Sequence, residues 1–325
     1  MTKVLVTGGL GFIGRGISEE LRARGFDVRI LDNQLRGAQE HLRGAASDFD
    51  IILGDIRDPD LVRRAVEGCE EVYHLAAING TKNFYEIPRQ VLEVGIIGTH
   101  VLLDAAIRSN VPRFLFMSSS EVYQTPASVP TDESASLLLP DSLNARYSYG
   151  GSKIAGELMT INYGRDAFER AVIVRPHNVY GPNMGFDHVI PELAMKIMRA
   201  RRAQTSGIVE APLQGDGSAT RAFVYIDDFV DGALRAMTAG DHLSIYHVGA
   251  EEEIAIIRLA ELIAETLGVE ARFTPSAAPS GQTQRRCPDI SRIRALGYAP
   301  QTSLRDGLRL ALGSVRAHFE RSTAA

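Results

Sequence analysis

The stretch TGGLGFIG at positions 7–14 decides the fold, because it places closely spaced glycines between an apolar run and an amphipathic one. The spacing fits G-x-G-x-x-G from Gly9 and the wider G-x-x-G-x-x-G from Gly8. In either frame a strand turns sharply into a helix, and bare backbone N–H groups at the helix N-terminus are left open to a pyrophosphate. The strand before and the helix after are the context that makes the motif informative. The predicted dinucleotide contacts are Gly8, Gly11, Phe12, Ile13 and Gly14.

Beyond this stretch, short apolar runs rich in β-branched residues alternate with longer amphipathic segments. Such alternation predicts an α/β fold, a doubly wound parallel Rossmann sheet with right-handed crossovers. The predicted strands are 3–7, 27–31, 50–53, 71–75, 113–117 and 171–175. The predicted helices are 12–24, 88–108 and 149–163.

The pattern changes after Gly181, where prolines and a glycine-rich turn interrupt the alternation. The later elements are shorter: helices near 227–239 and 257–267, and strands near 245–248 and 271–273. We expect residues 1–181 to form the NAD-binding Rossmann domain with the catalytic helix. Residues 182–325 are expected to form mainly a smaller C-terminal α/β substrate-binding lobe, with an interleaved boundary, that caps the carboxyl ends of the strands.

Composition narrows the classes of partner. The 325 residues carry a net charge of -5 with no obvious basic face, which argues against nucleic acid. The two cysteines, Cys69 and Cys287, give neither a disulfide framework nor metal-ligand spacing, so no metal is expected. We find no signal-peptide pattern and no apolar stretch of membrane-spanning length, and therefore expect a cytoplasmic protein without a membrane partner.

The end of the second predicted strand indicates the cofactor. Asp32 and Asn33 follow that strand, eighteen positions after Gly14. A carboxylate there accepts hydrogen bonds from the adenosine ribose and repels a 2′-phosphate, which favours NAD over NADP. Arg36 is close enough in sequence to leave a phosphate contact open.

Two further strand ends are candidates for the same cofactor. Asp55 and Ile56 follow the third strand, where the carboxylate either meets the adenine amino group or caps a turn; both interpretations stay open. Leu75, Ala76 and Ala77 end the fourth strand with small residues that let a cofactor lie close to the backbone.

The string YGGSK at 149–153 supplies a candidate acid–base pair. Tyr149 and Lys153 lie four residues apart on one face of a helix start. An ordinary phenol, with a pKa of about 10, is a poor base, and a nearby ammonium lowers that pKa. Lys153 can also bond the nicotinamide ribose. Ser119, after the fifth strand, can bond the same substrate hydroxyl as Tyr149.

These features together resemble an extended short-chain dehydrogenase/reductase of the nucleotide-sugar epimerase and dehydratase group. The resemblance covers nearly the whole chain. Its motifs are TGGLGFIG at 7–14, HLAA at 74–77, SSSEVY at 118–123, YGGSK at 149–153, RPHNVYGP at 175–182, GDGSATRAFVYIDD at 215–228 and RRCPDISRIRALGYAP at 285–300.

The resemblance implies roles for individual residues. Tyr149 would take the proton from a sugar hydroxyl while hydride passes to NAD, Lys153 would tune Tyr149, and Ser119 would polarise the oxygen. His177 would line the nicotinamide pocket. Asn178 would bind substrate, and Arg221 would pair with the diphosphate of a nucleotide-diphosphate sugar. A homodimer through the helices at 88–108 and 149–163 is also implied.

Three departures from the family pattern bear on the reaction. Ser120 stands where many dehydratases have an aspartate, while Glu121 is retained either as a second acid or base or as a capping or arginine-paired residue. Pro279 stands where many members have an arginine, which Arg285 or Arg286 would have to replace. The loop 78–85 matches no known subfamily, and its Asn79 is expected to face the sugar.

The leading hypothesis is an NAD-dependent nucleotide-sugar 4-epimerase acting through a transient 4-keto sugar. A decarboxylase of the UDP-glucuronate type and a 4,6-dehydratase begin with the same oxidation and remain alternatives. A remote alternative is a non-catalytic NAD-binding regulatory protein, against which the intact Ser119, Tyr149 and Lys153 argue.

Overall fold

The computed structural model describes residues 1–35, 49–204, 207–277 and 283–324. Two positions discussed above, Arg36 and Pro279, lie outside these ranges.

A parallel sheet, seven-stranded within the described residues, forms the centre of the molecule. Its first six strands are β1 (Lys3–Thr7), β2 (Asp27–Asp32), β3 (Asp50–Leu53), β4 (Glu71–His74), β5 (Arg113–Met117) and β6 (Arg170–Pro176). The spatial order is Ser244–Val248, β6, β5, β4, β1, β2, β3. The order reverses at β1, so the crevice between the carboxyl ends of β1 and β4 is the place where a doubly wound sheet binds ligands. The predicted fold class is confirmed.

Helices cover both faces of this sheet. Their bounds in the first half of the chain are Phe12–Ala23, Pro59–Val66, Thr81–Glu86, Pro88–Arg108 and Ser148–Gly164. In the second half they are Val189–Ala203, Ile226–Ala239, Ile256–Leu267, Ser291–Ala295 and Leu304–Ala324. Two apolar clusters fill the space under the helices, one on each face of the sheet, and the larger one continues into the C-terminal elements. The sheet and these elements therefore share a core.

The Pro88–Arg108 helix departs from its prediction in two ways. Its middle, Glu93–Gly98, is π-helical, and Gly95 lies so close to the Ser148–Gly164 helix that an added Cβ would be 2.6 Å from Ser152 Oγ. Its 21 residues also reach a mean hydropathy of 1.4 over an 18-residue window, with half of that window buried inside the protein. The expectation that no apolar stretch has membrane-spanning length is therefore wrong by length and composition.

Two elements from the second half of the chain pack with the Rossmann sheet, one as a strand of the sheet and one as a helix on its face. The Ser244–Val248 strand pairs in parallel with β6, from Ser244 against Val172 to Val248 against Pro176. The Ile226–Ala239 helix packs on the Phe12–Ala23 helix, where an added Cβ at Gly16 would be 3.1 Å from the Val230 side chain. Both elements bury apolar residues in the core cluster that they share with β1 and β6, while the division into two domains stays a prediction.

The other strands in the second half of the chain form small sheets outside the seven-stranded one. Val209–Gln214 pairs in parallel with Ala271–Ser276. Short strands complete this part: Val179–Tyr180 with Val224–Tyr225, and Thr220–Ala222 with both Glu253–Ala255 and Arg285–Arg286. The last pairing brings Arg221 and Arg286 side by side in register.

Candidate active site

The glycine loop after β1 has the shape that a dinucleotide pyrophosphate needs. Gly8 has a φ of +69°, and an added Cβ would be 2.9 Å from Ala76 N. At Gly14 a Cβ would collide with Gly8 O. The Phe12–Ala23 helix starts after Gly11 with no side-chain cap and no acidic residue in its first turn. The N–H groups at its N-terminus are therefore open to an anion, with no side chain competing for them. These residues fit the pyrophosphate of the cofactor.

Asp32 lies at the end of β2 beside this loop. Its Oδ2 accepts a hydrogen bond from Leu10 N (3.0 Å) and its Oδ1 accepts one from Gln34 N (2.7 Å). The carboxylate is therefore oriented by backbone, and lone pairs remain for ribose hydroxyls. The neighbouring Asn33 is exposed and its Oδ1 accepts a hydrogen bond from Leu35 N.

Asp55 has a structural partner. Its carboxylate binds Arg57 through Nε (2.9 Å) and Nη2 (2.6 Å), and Arg57 also binds Glu93 (2.6 Å). The hydrogen bond to Arg57 lowers the pKa of Asp55. Asp55 Oδ1 also accepts a hydrogen bond from Arg57 N (2.9 Å), which fits the turn-capping interpretation, whereas the adenine contact stays a prediction. The adjacent Ile56 is buried beneath Gly98.

The end of β4 lies close to β1. Both Leu75 N and Ala76 N donate hydrogen bonds to Thr7 Oγ1, at 3.2 Å each. Leu75, Ala76 and Ala77 are half-buried at this edge. The predicted cofactor-facing strand end therefore lines the crevice between β1 and β4.

Tyr149 and Lys153 lie one turn apart on the Ser148–Gly164 helix, hereafter the catalytic helix. Lys153 Nζ donates a hydrogen bond to Met117 O (2.7 Å) and lies 5.6 Å from the centre of the Tyr149 ring. Burial lowers the pKa of Lys153 to about 7, against the opposing charge of Glu157. Removing water makes the ammonium costly unless an anion lies nearby. A phenolate at Tyr149 is such an anion.

The segment that follows Ser119 packs on the start of the catalytic helix, where a Cβ added at Gly150 would lie 3.0 Å from Glu121 O. Ser119, almost fully buried, accepts a hydrogen bond from Glu121 N at its Oγ (3.1 Å). The ring of Phe84 stacks on that of Tyr149, with centroids 5.1 Å apart and planes inclined by 10°. Phe84 belongs to the Thr81–Glu86 helix, so the prediction of a loop over 78–85 is wrong for these residues, and Phe84 was not singled out from the sequence. In that loop, Asn79 Oδ1 accepts a hydrogen bond from Gly80 N (2.7 Å).

Glu121 forms an ion pair. Arg286 Nη1 donates to Glu121 Oε1 at 2.6 Å. Burial alone would raise the pKa of Glu121, but the charges of Arg286 and Arg146 outweigh it and the pKa is lowered. Arg285 points away and pairs with the exposed edge at Glu253. Of the two arginines left open by the sequence, Arg286 is therefore the one beside Glu121. Ser120, next to it, is buried.

Arg221 and Asn178 are tied to backbone carbonyls. Arg221 donates to Thr220 O (2.7 Å) and Thr283 O (2.7 Å), and Asn178 Nδ2 donates to Ala222 O (2.8 Å). Burial lowers the pKa of Arg221 to about 10, with the charge of Arg286 acting in the same direction. Their substrate contacts stay predictions.

His177 is buried, and neither of its ring nitrogens has a hydrogen-bond partner among the described residues. Burial lowers the pKa of His177 well below its usual value, so the ring is neutral. Its ring lies 4.7 Å from that of His247, edge to face. An unsatisfied imidazole suits a pocket wall that contacts a polar ligand, as predicted for the nicotinamide end.

A buried polar network below the site escaped sequence analysis. Arg175 and Glu157 form a fully buried ion pair (2.6 Å), and Ser118 Oγ donates to Glu157 (2.5 Å). Arg175 also bonds Tyr123, whose hydroxyl lies 2.6 Å from His247 Nε2. Glu157 lies one turn after Lys153, so this network fixes the catalytic helix against β6. The spacing of Glu157 after Lys153 was the available signal.

The comparisons with known proteins agree with this arrangement. The model of the NAD-dependent epimerase/dehydratase family matches residues 4–249. The chain belongs to this family. NAD is its cofactor, and the resemblance to extended short-chain dehydrogenases/reductases is confirmed.

Similar proteins are named for three different reactions: decarboxylation, 4-epimerisation and 4,6-dehydration. UDP-glucuronic acid decarboxylase 2 of Arabidopsis thaliana is 30% identical over 97% of this chain and 68% of its own length. A UDP-glucose 4-epimerase structure from Thermotoga maritima has a TM-score of 0.86 at 26% identity, covering 98% of this chain and 99% of that one. The NAD-bound dTDP-glucose 4,6-dehydratase DesIV of Streptomyces venezuelae has a TM-score of 0.85 at 28% identity, covering 99% and 98%. The chain is thus an enzyme of the nucleotide-sugar epimerase, dehydratase and decarboxylase family.

Proposed function

We propose that the protein is a nucleotide-sugar 4-epimerase that acts through a transient 4-keto sugar. The observation that carries the proposal is the pairing of Tyr149 and Lys153 beside Ser119, with Glu121 engaged by Arg286. The first three groups provide what oxidation at C4 needs. Because Arg286 engages Glu121, this carboxylate is not available as an acid or base for a second reaction.

Each residue has a defined task in the oxidation. NAD, when bound, supplies the reversible two-electron oxidation of the sugar carbon. Tyr149 accepts the hydroxyl proton as a phenolate, and Lys153 stabilises that phenolate as its counter-charge in a site with little water. Ser119 donates a hydrogen bond to the developing carbonyl oxygen. Phe84 covers one face of the Tyr149 ring and fixes its direction.

Glu121 and Ser120 argue against water elimination. Elimination needs a base to remove the proton at C5 and an acid to protonate the departing hydroxyl. Ser120 stands in the position of the usual aspartate. Glu121 has a lowered pKa and a tight arginine partner, so it is a weak base in this geometry. Return of the hydrogen to the opposite face of the 4-keto sugar needs neither group.

Decarboxylation is the second candidate, because a specific observation favours it. Arg146, Arg221 and Arg286 surround the single carboxylate of Glu121, a charge distribution that suits an anionic sugar. The relative named UDP-glucuronic acid decarboxylase 2 aligns with 97% of the chain. A 4-keto uronic acid loses carbon dioxide readily, and a proton donor near C5 completes the reaction.

Replacement of Glu121 by glutamine separates these candidates. Under the epimerase proposal, Glu121→Gln slows turnover only mildly, because the side chain holds Arg286 and takes no part in proton transfer. The 4-keto sugar and the reduced-nicotinamide absorbance are followed alongside product by chromatography. If the variant accumulates both but yields no product, Glu121 is a catalytic acid or base and the epimerase proposal is wrong.

We also propose a homodimer through the Pro88–Arg108 helix and the catalytic helix. These helices are adjacent, and they leave Leu92, Ile97, Leu158 and Tyr163 exposed to solvent. Exposed apolar side chains grouped on neighbouring helices support an interface. The cytoplasmic location stays a prediction.

A further inference from the structure

The turn that leads into the catalytic helix holds an unsatisfied cation. Arg146 belongs to the short helix Ala145–Tyr147, three residues before Tyr149. Its Nε is buried and has no hydrogen-bond partner among the described residues, and the same is true of Ser148 Oγ. Buried polar atoms without partners are rare in folded proteins and indicate a group that binds there.

This turn packs against the segment that carries Glu121. At Gly150, an added Cβ would lie 3.0 Å from Glu121 O and 2.9 Å from Gln124 Nε2. Thr283 continues the contact: its Oγ1 donates to Gln124 O (2.8 Å) and accepts from Arg286 (3.4 Å). The start of the catalytic helix therefore packs on the segment of Glu121, and Arg146, four residues before Gly150, acts on Glu121 by its charge.

The charges of this wall do not balance. The carboxylate of Glu121 is already bound to Arg286, and Arg221 is bonded to backbone carbonyls. The charge of Arg146 acts on both Glu121 and Arg221, which places it within electrostatic reach of the two. Three guanidinium groups thus share one carboxylate within the described part of the wall. Arg146 is half-buried and its Nε is buried without a partner, and a cation that is partly removed from water is stabilised by an anion.

We infer that Arg146 binds a carboxylate on the sugar ring, so that the substrate is a nucleoside-diphosphate uronic acid. The inference rests on the proposed function, which brings C4 of the sugar to Tyr149 and Ser119. The substituent on C5 is attached next to C4, and the inference places it against the segment that precedes Tyr149. In a uronic acid that substituent is a carboxylate, and the planar guanidinium matches it with two parallel hydrogen bonds.

The test measures binding without turnover. In the Tyr149→Phe protein loaded with NAD, calorimetry compares UDP-glucuronate with UDP-glucose, and the corresponding dTDP pair. The wild-type Arg146 site should favour the uronate. Arg146→Gln should weaken uronate binding about 10- to 100-fold, the loss typical of a charge-assisted pair. Binding of the neutral sugar should change less than about threefold.

Two matched variants keep the result interpretable. Arg63→Gln makes the same substitution at an exposed arginine that pairs with Asp60, and it should bind both sugars as before. Arg146→Lys keeps the charge but loses the planar fork, so its loss should be smaller and still confined to the uronate. If Arg146→Gln fails to bind NAD, the Arg146→Lys variant is used instead. The inference then stands or falls on whether this variant weakens uronate binding more than binding of the neutral sugar.

If the Arg146 variants weaken the binding of both nucleotide sugars equally, Arg146 contacts the diphosphate that the two share, and the inference is overturned. Preference for UDP-glucose, or no uronate binding with either nucleotide, would overturn it as well. Failure of the proposed function appears separately. A product that has lost carbon dioxide refutes the epimerase and leaves the uronate-selective effect of Arg146 standing.

Discussion

Replacement of Lys153 by methionine should stabilise the fold in mildly acid solution while it removes catalysis. Lys153 Nζ is buried and donates to Met117 O (2.7 Å). Methionine fills nearly the same volume without a charge. Burial lowers the pKa of Lys153 from 10.5 to about 7, with Glu157 opposing.

The pH dependence follows from this lowered pKa. Between about pH 7 and pH 10.5 the unfolded chain holds a proton that the folded chain has released, so folding stability rises with pH in that window. Below pH 7 both states are protonated and the folded state carries the whole penalty. A lowering from 10.5 to about 7, at about 1.4 kcal/mol per unit, gives about 5 kcal/mol. In the methionine variant Met117 O loses its hydrogen-bond donor, which lowers the gain in folding free energy by about 1–3 kcal/mol.

The Lys153→Met variant should therefore exceed the wild type by about 2–4 kcal/mol at pH 6, and the gap should close to about zero at pH 9. Urea unfolding followed by circular dichroism, with NAD removed, measures both values. Lys82→Met, at an exposed lysine, is the control and should shift stability by less than about 0.5 kcal/mol at either pH. A variant no more stable than wild type at pH 6, or a stability gap equal at both pH values, would show that the buried ammonium of Lys153 does not destabilise the fold.

Three further outcomes are expected. Asp32→Ala should narrow the preference for NAD over NADP, measured by calorimetry; equal wild-type affinities would contradict the role of Asp32. Phe84→Ala should lower kcat about tenfold or more with a smaller effect on KM, because Tyr149 loses its stacking partner. Phe84→Leu should recover part of the lost kcat, whereas an unchanged kcat in Phe84→Ala would show that the stacking does not position Tyr149. Glu157→Gln leaves Arg175 buried without its counter-charge and should cost about 3–5 kcal/mol in urea unfolding; a loss below about 1 kcal/mol would show that the pair is not needed.

The local pattern predicted strand bounds well wherever an apolar β-branched run ends in polar residues. The strands Lys3–Thr7, Asp50–Leu53 and Arg113–Met117 were predicted with the bounds that the structure has. The Ser244–Val248 strand was predicted near its observed bounds, but its place in the main sheet was not. Its partner β6 lies about seventy residues earlier, and periodicity carries no information about which sheet a strand joins.

The site was predictable where its residues share one short motif. Tyr149 and Lys153 are one helical turn apart, so their proximity follows from spacing alone. The choice between Arg285 and Arg286 depended on which face of a two-residue strand points inward, and Glu121 lies 165 positions away from the pair it makes. Phe84 and the Glu157–Arg175 pair likewise depend on contacts between distant segments.

The central claim is that the protein oxidises a nucleotide sugar at C4 and returns it as an isomer. The measurement that tests it most directly is the mass and C4 configuration of the product, by mass spectrometry and NMR, across UDP-, dTDP-, GDP- and CDP-sugars. We expect a product of unchanged mass with inverted C4, and we expect Tyr149→Phe to form it at least about a hundredfold more slowly. Loss of carbon dioxide or water from the substrate, or near-normal turnover by Tyr149→Phe, would contradict it.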